Sequence, residues 1–420
     1  MDNIKQSRND KWFILILSSL TNAIVFAVQS MSLSVLLPEI SNELNLSLVQ
    51  AGLVWGISSL PGIFINMIAG VVIDRWESRK VLMISCLLAG LFGASRSLAQ
   101  SYGFLLIFVF LFGCVSPFIL ISNIKNIETW FHGKDYGIAN GTLSLGMALG
   151  FFIGSMISAS FISPWLGGWR NVFILYGAIA LSFAFLWYFI YPKMKNLKSD
   201  HNRAIKDSGK IPFVRELKRV AGVKNMWLLG LSIMAINGGM QGFVGYFPLY
   251  LGGIGWDQVQ VAGIMAAFHL ASMIFILPIT FFSGRVGNQR KILIFSVATT
   301  TLCLGLIAFV NNGWLWALVI LTGFTRDAIM AMIITMTLKV RGIQNTYAGV
   351  RTGFILFFAG LGHLLSPPIG NKFVIFGTNA PFIFWASLCL ICLICMILLH
   401  DDWKAKNNDE LAVSSCAEYP

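Results

Sequence analysis

The chain has 420 residues, of which 56% are hydrophobic and only 11% are charged, with a net charge of +12. Its mean hydropathy is +0.75 and its isoelectric point is near 9.5. About 25% of the residues of a soluble protein are charged, so this composition excludes an ordinary soluble domain, and positive charges dispersed between apolar segments exclude a basic nucleic-acid-binding face.

Twelve apolar runs of about 20 residues or more follow one another, and each could cross a hydrocarbon core of about 30 Å as a helix. The runs lack the alternation of barrel strands, and a helix satisfies its own backbone groups in lipid. The predicted spans are 12–38, 49–73, 81–99, 103–127, 137–162, 168–191, 225–250, 259–283, 292–310, 314–338, 349–370 and 380–399. The sequence therefore predicts an all-α membrane protein with twelve transmembrane helices.

The basic residues predict the orientation of these spans. All but four of the 30 lysines and arginines fall on one side of the predicted topology, and the exceptions are Arg96, Arg170, Arg326 and Lys372. The positive-inside rule makes that side cytoplasmic. Because the number of spans is even, we expect a multi-pass protein of the cytoplasmic membrane with both termini in the cytoplasm.

An internal repeat predicts two pseudo-symmetric six-helix bundles. An offset of 210 residues pairs Pro38 with Pro248, Val49-Gln50 with Val259-Gln260, Arg75 with Arg285, Lys80 with Arg290, and Gly150 with Gly360. One constant offset that joins helix ends, an inner loop and a mid-helix glycine indicates two parallel repeats. We expect an N-terminal half at 1–191, a cytoplasmic linker at 192–224, a C-terminal half at 225–399 and a cytoplasmic tail at 400–420. The linker is rich in basic residues and is expected to contact anionic lipid headgroups.

A short charged turn joins the second and third predicted spans. Its sequence, Gly70-Val-Val-Ile-Asp74-Arg75-Trp-Glu-Ser-Arg79-Lys80, matches the loop signature G-x-x-x-D-R-x-x-x-R-R/K. With this match, and with turns at Trp130-Phe131 and Gly168-Trp169-Arg170, the chain resembles the major facilitator superfamily of secondary transporters over nearly its whole length. The resemblance implies two bundles that rock around a solute site near the membrane midplane.

The resemblance also implies a gate at the cytoplasmic side, formed by Gly70, Asp74, Arg75, Arg79, Lys80 and, in the second half, Arg285. Asp74 could accept hydrogen bonds from the N-terminus of another helix, and Gly70 would permit close helix approach. The second half has Gly284 at the acidic position, so this latch should be one-sided. The alternative is a positive-inside charge cluster that contains one incidental acid.

Arg326 and Asp327 fall near the middle of the tenth span. Inserting a central arginine costs about 3 kcal/mol, so neither side chain should face lipid. The resemblance places the first, fourth, seventh and tenth spans around a central cavity, which makes Arg326 a candidate anion clamp and Asp327 a candidate proton carrier. Adjacent helical residues point about 100° apart, so the two need not pair, although a structural charge pair is the alternative.

Other polar side chains at similar depth are candidate solute ligands, namely Asn22, Gln29, Asn237, Gln241 and His269. Each amide could equally join two helices by hydrogen bonding. A single histidine on an otherwise apolar span is more often a packing residue, although it could titrate in the physiological range if it is wet.

One fixed cation in the cavity favours an anionic solute, because charge complementarity offsets the cost of burying both groups. We therefore predict a secondary active transporter of a small organic anion, such as a carboxylate, by proton symport or exchange for a counter-solute. A proton-driven efflux pump for apolar or drug-like compounds and a non-transporting solute receptor on the same fold are the alternatives. Phe151 stands where the drug-antiporter branch has proline, which disfavours the efflux alternative.

The sequence does not predict an enzyme, because it has no nucleotide-binding glycine loop, nucleophile elbow or metal-spaced His/Cys cluster. Cys389, Cys392 and Cys395 spread around a broad helix face without a nearby histidine or acid, so we expect packing instead of a metal site. No cofactor, metal or nucleic-acid partner is expected. The expected partners are the solute, protons or a counter-solute, and membrane lipids.

Overall fold

A computed structural model describes residues 8–76, 78–189, 213–285, 289–310, 313–338, 340 and 348–399. All regular elements in these residues are helices, and twelve are long and apolar enough to cross a membrane. The prediction of an all-α membrane protein with twelve spans is therefore confirmed. The predicted tail and most of the predicted linker lie outside the described residues.

The first six spans, numbered here in chain order, contain several breaks in regular α-helix. Span 1 consists of Arg8–Leu20, a π-helical segment Thr21–Val28, and Gln29–Leu44, and span 2 consists of Leu48–Ile57 and Leu60–Arg75. Span 3 is Ser78–Ser95, followed by a 3-10 turn Arg96–Leu98, and span 4 is Tyr102–Trp130. Span 5 consists of Lys134–Ile157, a π-helical segment Ser158–Ile162, and Ser163–Leu166, and span 6 is Trp169–Phe189. The π-helical segments matter below because such segments are rare and are frequent at functional sites.

The second set of six spans is more regular. Spans 7 to 12 are Lys224–Gly253, Gln258–Arg285, Gln289–Ile307, Gly313–Leu338, Ala348–Lys372 with a 3-10 turn Phe373–Phe376, and Ala380–Leu398. A short helix, Phe213–Ala221, precedes span 7 and lies within the predicted linker. Its exposed Lys218 and Arg219 stand near the start of span 7, where the indole of Trp227 donates a hydrogen bond to the Ala221 carbonyl at 2.7 Å.

Matching caps at the starts of spans 2 and 8 follow the predicted repeat. The Gln50 amide accepts a bond from the Ser47 backbone N–H at 2.9 Å, and the Gln50 N–H donates to the Ser47 hydroxyl at 3.2 Å. In the second half, the Gln260 N–H donates to the Asp257 carboxylate at 2.8 Å, and the Asp257 N–H donates to the Gln260 amide at 3.3 Å. Both pairs are reciprocal capping boxes, which satisfy the free N–H groups of a helix start. The glutamines are the pair matched at the 210-residue offset.

Arginines at the starts of spans 3 and 9 make equivalent hydrogen bonds in the two halves. Arg79 donates hydrogen bonds to the carbonyls of Trp187 and Tyr188 at the end of span 6. Arg290 donates to the carbonyls of Met396 at 3.1 Å and Ile397 at 2.7 Å, at the end of span 12. The structural counterpart of Arg290 is therefore Arg79, not Lys80 as the constant offset indicated. A shift of one residue in this loop moves the register without changing the contact.

Span 5 packs closely on span 1 through a stripe of glycines. A Cβ at Gly150 would lie 2.3 Å from the Ala23 carbonyl oxygen, and a Cβ at Gly146 would lie 2.7 Å from the Ser19 carbonyl oxygen. A Cβ at Gly154 would lie 3.0 Å from the Cα of Val28 on span 1. Small residues permit such contact between backbones in a membrane protein, where dispersion forces and not water exclusion hold helices together. The stripe joins two helices of one half.

The two halves contact each other closely toward one end of the bundle. This end, called the far face here, is opposite the termini face, which holds the start of span 1 and the end of span 12. The hydroxyl of Ser34 donates to the Val244 carbonyl at 2.6 Å, the indole of Trp55 donates to the Gln241 carbonyl at 2.8 Å, and the amide of Asn371 donates to the Leu48 carbonyl at 2.7 Å. Glycines bring the backbones together at the same level, since a Cβ at Gly56 would lie 2.7 Å from the Leu364 carbonyl oxygen.

Three glycines in the parts of spans 2, 5 and 11 that lie toward the termini face have free space beside them. Apart from the nearby backbone of their own helices, Gly70 of span 2, Gly141 of span 5 and Gly353 of span 11 have no described atom within 4 Å of the position that a Cβ would take. Gly70 was expected to permit close helix approach, and in this structure it does not.

Candidate functional site

Arg326 and Asp327 lie at the centre of span 10, as predicted, and their side chains are 23% and 33% exposed. They pair with each other, with the Arg326 guanidinium nitrogen 3.7 Å from the Asp327 carboxylate oxygen. Backbone geometry alone left the pairing open. Both side chains are therefore only partly covered by the described protein atoms.

Two further contacts hold this ion pair within the C-terminal half. The hydroxyl of Ser272 on span 8 donates to the second carboxylate oxygen of Asp327 at 2.6 Å. The Arg326 guanidinium carbon lies 5.6 Å from the centre of the Phe268 ring, a cation–π distance. Span 8 therefore orients both charged side chains of span 10. Asp327 still accepts the hydrogen bond from Ser272 even if Arg326 turns toward another anion.

His269 follows Phe268 on span 8 and is 2% exposed. Its ring lies 5.0 Å from the Phe268 ring and 5.7 Å from the ring of Phe151 on span 5, which belongs to the other half. Phe151 in turn lies 6.2 Å from Phe26 on span 1. His269 Nε2 has no hydrogen-bond partner in the described structure. The sequence left packing and ligand roles open for His269, and the structure places its ring in the packed contact between the halves.

Span 7 contributes Asn237 to the neighbourhood of the ion pair. Its amide nitrogen lies 3.5 Å from the sulfur of Met330, one turn after Arg326 on span 10. Gln241, one turn further along span 7, uses its backbone carbonyl to accept the Trp55 indole bond, and its side chain is half-buried. Asn237 thus joins the central group of residues, whereas Gln241 lies at the contact between the halves.

The two amides predicted on span 1 lie inside the N-terminal half. The Asn22 side-chain oxygen accepts a bond from the amide of Asn123 on span 4 at 2.7 Å. Gln29 is 1% exposed and donates to the Tyr176 carbonyl of span 6 at 3.3 Å. A Cβ at Gly93 of span 3 would overlap the Gln29 amide, so this side chain fills a gap among three helices. Gln29 is therefore a helix-joining residue in this structure.

Sequence reasoning missed His363, which lies on span 11. His363 is half-buried, and its backbone carbonyl oxygen lies 3.0 Å from the position that a Cβ at Gly56 of span 2 would take. A histidine within an apolar span is a sequence signal for a candidate site residue, and it was used for His269 but not for His363. The central site therefore brings together one cation and one carboxylate, with the imidazole of His269 against the Phe268 ring, which is a set that can bind an anion and hold a proton.

The predicted gating residues are spread along the termini face. Arg79 caps span 6 of its own half, as described above, and Arg75 and Lys80 are exposed. The side chains of Asp74 and Arg285 lie outside the described part of the structure. An ion pair at 2.8 Å joins Lys11 at the start of span 1 to Asp135 at the start of span 5. The latch at Asp74 stays a prediction.

The turn before span 6 is held by two carboxylates of span 1. Glu39 accepts bonds from the Trp169 backbone N–H at 2.9 Å and from the Ser163 hydroxyl at 2.7 Å. Glu43 accepts from Arg170 at 2.9 Å and from the Trp169 indole. Glu39 thereby caps the N-terminus of span 6, where negative charge is favourable, and Glu43 binds the side chains of the same turn. The motif Gly168-Trp169-Arg170 thus serves to join span 6 to span 1 at the far face.

Comparisons with known proteins agree with this architecture. A family model described as "Major Facilitator Superfamily" matches residues 18–351 and 264–413. The "Hexuronate transporter" of Bacillus subtilis is 27% identical over 256 residues, which cover 58% of this chain and 57% of that protein. The "Probable nitrate/nitrite antiporter NarK1" of Thermus thermophilus is 26% identical over 297 residues, which cover 68% of this chain and 64% of that protein. The chain thus aligns with less than two thirds of the length of these curated relatives.

A solved structure shares the fold at low sequence identity. The bacterial homologue of the human lysosomal transporter Spinster, solved in an inward-facing and unoccupied conformation, superposes with a TM-score of 0.72 at 13% identity. The superposition covers 94% of this chain and 95% of that one. At this identity the similarity concerns the arrangement of the helices.

Proposed function

The chain belongs to the Major Facilitator Superfamily, and from that premise we propose that it is a secondary active transporter of a small organic anion. The observation that carries the proposal is Arg326, a partly exposed cation at the centre of a membrane span. Charged side chains in such positions are costly and mark solute pathways. The imidazole of His269, which contacts the Phe268 ring beside Arg326, adds a hydrogen-bonding group that suits an anion.

The names of the relatives support an anionic solute. One relative is named for hexuronate and another for nitrate and nitrite, and all three are anions. These solutes differ in size and in hydroxyl content, so the feature they share is negative charge. Arg326 is a positive charge at the centre of span 10 that could bind this shared negative charge.

Charge balance supports proton coupling. The Arg326–Asp327 pair is neutral as a whole, so a solute carboxylate that takes over Arg326 would leave one excess negative charge in the membrane centre. A proton on Asp327 removes this excess, and the Ser272 hydroxyl can remain beside the protonated carboxyl group. We propose that solute and proton bind together for this reason.

The positive-inside rule makes the termini face cytoplasmic. On that assignment the close contacts between the halves, such as the Trp55 to Gln241 bond, lie toward the outer side. We propose that these contacts close the outer side, so that solute reaches Arg326 from the cytoplasm. Rocking of the halves would open the far face by separating these contacts.

Ligand-induced thermal stabilisation of the purified, detergent-solubilised protein tests the proposal. Carboxylates, neutral sugars, amines and lipophilic cations would be compared at equal concentration, because a ligand that binds only the folded state raises the midpoint of unfolding. We expect carboxylates alone to stabilise, and flux into proteoliposomes would then establish transport. Stabilisation by lipophilic cations in place of carboxylates would contradict the proposal and favour an export pump, while binding without flux would favour a receptor.

Asp327→Asn is expected to separate solute exchange from proton-driven uptake. The asparagine keeps the size of the side chain and can accept the Ser272 bond, but it cannot carry a proton. Uptake driven by a pH gradient should fall about tenfold or more, because the group that carries the proton is lost. Exchange of internal for external solute should persist, because it needs no net movement of protons. Both rates would be measured in the same proteoliposomes. Gradient-driven uptake at the wild-type rate would show that the proton is carried elsewhere, for example by His269 or His363.

A further inference from the structure

Arg96 is a buried cation of the N-terminal half that the proposed solute site does not use. It is 1% exposed and belongs to the 3-10 turn at the far-face end of span 3. Its guanidinium carbon lies 4.1 Å from the centre of the Phe112 ring on span 4 and 5.5 Å from the centre of the Phe173 ring on span 6. Among the residues that the structure describes, no carboxylate forms a salt bridge with it. A buried arginine without a counter-charge is costly, so its presence calls for an explanation.

Arg96 binds span 1 where the first π-helical segment ends. A terminal guanidinium nitrogen donates a hydrogen bond to the Gln29 carbonyl at 3.2 Å. Gln29 directly follows the segment Thr21–Val28, and its own N–H donates to the Phe26 carbonyl. The chain therefore leaves the π-helical spacing at Gln29, and Arg96 holds the residue at which this change occurs. The same carbonyl also accepts a bond from the Ser32 hydroxyl at 3.0 Å, so it keeps a side-chain donor without Arg96.

The side chain of Gln29 continues these contacts to the second π-helical segment. Its amide donates to the Tyr176 carbonyl on span 6 at 3.3 Å. The Tyr176 hydroxyl pairs with the Ser158 hydroxyl at 2.8 Å, and Ser158 donates to the Gly154 carbonyl at 2.6 Å. Ser158 is the first residue of the π-helical segment of span 5. The four residues that join the two segments in this way are called the π-segment relay here, namely Arg96, Gln29, Tyr176 and Ser158.

The relay lies beside the contacts between the two halves. Spans 1 and 5 touch directly at this level, since a Cβ at Gly154 would lie 3.0 Å from the Cα of Val28, the last residue of the first π-helical segment. Less than two turns after Val28, the Ser34 hydroxyl binds a carbonyl of span 7. About two turns before Ser158, the Phe151 ring contacts span 8. The parts of spans 1 and 5 that meet the C-terminal half are therefore joined through the relay.

From these contacts we infer that Arg96 is a positioning residue that ties spans 1 and 5 into one unit and so holds the far face closed. A buried charge costs stability, but it fixes the direction of the groups that bind it, and some proteins retain such groups for a single defined arrangement. Without Arg96 the two spans can leave the far-face contacts separately, so the closed arrangement is less populated. This inference rests on the proposed function for the rocking movement and adds the residue that coordinates it within the N-terminal half.

The test combines Arg96→Met with a thiol placed at the contact between the halves. Ser34→Cys introduces this thiol at a fully buried position, and its reaction with a maleimide in the purified, detergent-solubilised full-length protein reports opening of the far face. We expect Arg96→Met to speed this labelling about tenfold, measured against the protein that retains Ser34. The methionine sulfur can still contact the Phe112 ring, and an uncompensated buried charge is removed. The midpoint of thermal unfolding should therefore equal or exceed that of the wild type.

A matched pair on span 5 keeps the test decisive if Arg96→Met folds poorly. Ser155 and Ser158 are both fully buried, and each donates to the carbonyl four residues before it, but only Ser158 also binds Tyr176. Ser158→Ala should therefore speed the labelling, whereas Ser155→Ala should not. Equal labelling of these two variants would overturn the inference, as would a folded Arg96→Met protein that labels at the wild-type rate. No solute is added, so failure of the carboxylate screen, which bears on the proposed function, is a separate result.

Discussion

Replacing Arg326 with alanine is expected to reduce the affinity for anions and the rate of anion transport about a hundredfold or more. The estimate follows from the loss of a charged hydrogen-bonding partner in a largely desolvated site, which costs about 2–5 kcal/mol. Asp327 would keep its bond from Ser272 at 2.6 Å, so the local fold should survive. Binding by calorimetry and flux into proteoliposomes measure the two effects separately.

Two variants sharpen this experiment. Arg326→Lys keeps the charge but loses the planar fork, so we expect an intermediate affinity. Arg170→Ala removes an arginine of the far face that pairs with Glu43 at 2.9 Å, and it should leave affinity unchanged. If Arg326→Ala were well folded and bound carboxylates like the wild type, the ion pair would be purely structural and the anion clamp would be wrong.

Gly150→Val is expected to destabilise the protein strongly, by about 3 kcal/mol or more. A Cβ at this position would lie 2.3 Å from the Ala23 carbonyl oxygen and 2.7 Å from the Ala23 Cα, so the side chain would meet backbone that cannot rotate away. Spans 1 and 5 would have to separate, and span 1 also carries Asn22 and Phe26. The midpoint of thermal unfolding in detergent and the yield of monodisperse protein would measure the change.

Gly141→Val provides the control on the same helix. No described atom lies within 4 Å of a Cβ at Gly141, so the same side chain should be tolerated there. The helix propensity change is the same for both variants, which leaves the contact with span 1 as the difference. Equal stability of the two variants would mean that spans 1 and 5 are not held in close contact by the glycine stripe.

The twelve spans and the repeat could be predicted from sequence because both depend on local or periodic properties. Apolar length alone decides whether a helix can cross the membrane, and a glutamine at position 50 or 260 caps its own helix within four residues. Even here the fixed offset failed by one residue in the loop before span 9, where Arg79 and not Lys80 corresponds to Arg290. An offset carries no information about a small shift in register.

The site was only partly predictable. The position of Arg326 and Asp327 in the tenth span was evident from their charge, but their pairing at 3.7 Å depends on side-chain torsions and on Ser272 and Phe268 of another helix. Gln29 looked like a ligand by depth alone, and the structure turns it toward Tyr176 and Gly93 inside one half. Depth along a helix is readable from sequence, whereas the direction in which a side chain points is not.

The sequence by itself determined that the protein crosses the membrane twelve times, that it is built from two related halves, and that a cation lies at membrane depth. These properties follow from hydrophobic length, from repetition and from the cost of a charge in lipid. Only the tertiary structure decided which polar residues share a site, because contacts such as Asn22 with Asn123 or His269 with Phe151 join residues that are more than one hundred positions apart. It also decided which backbones of the two halves touch at the far face, since such contacts join residues of different spans.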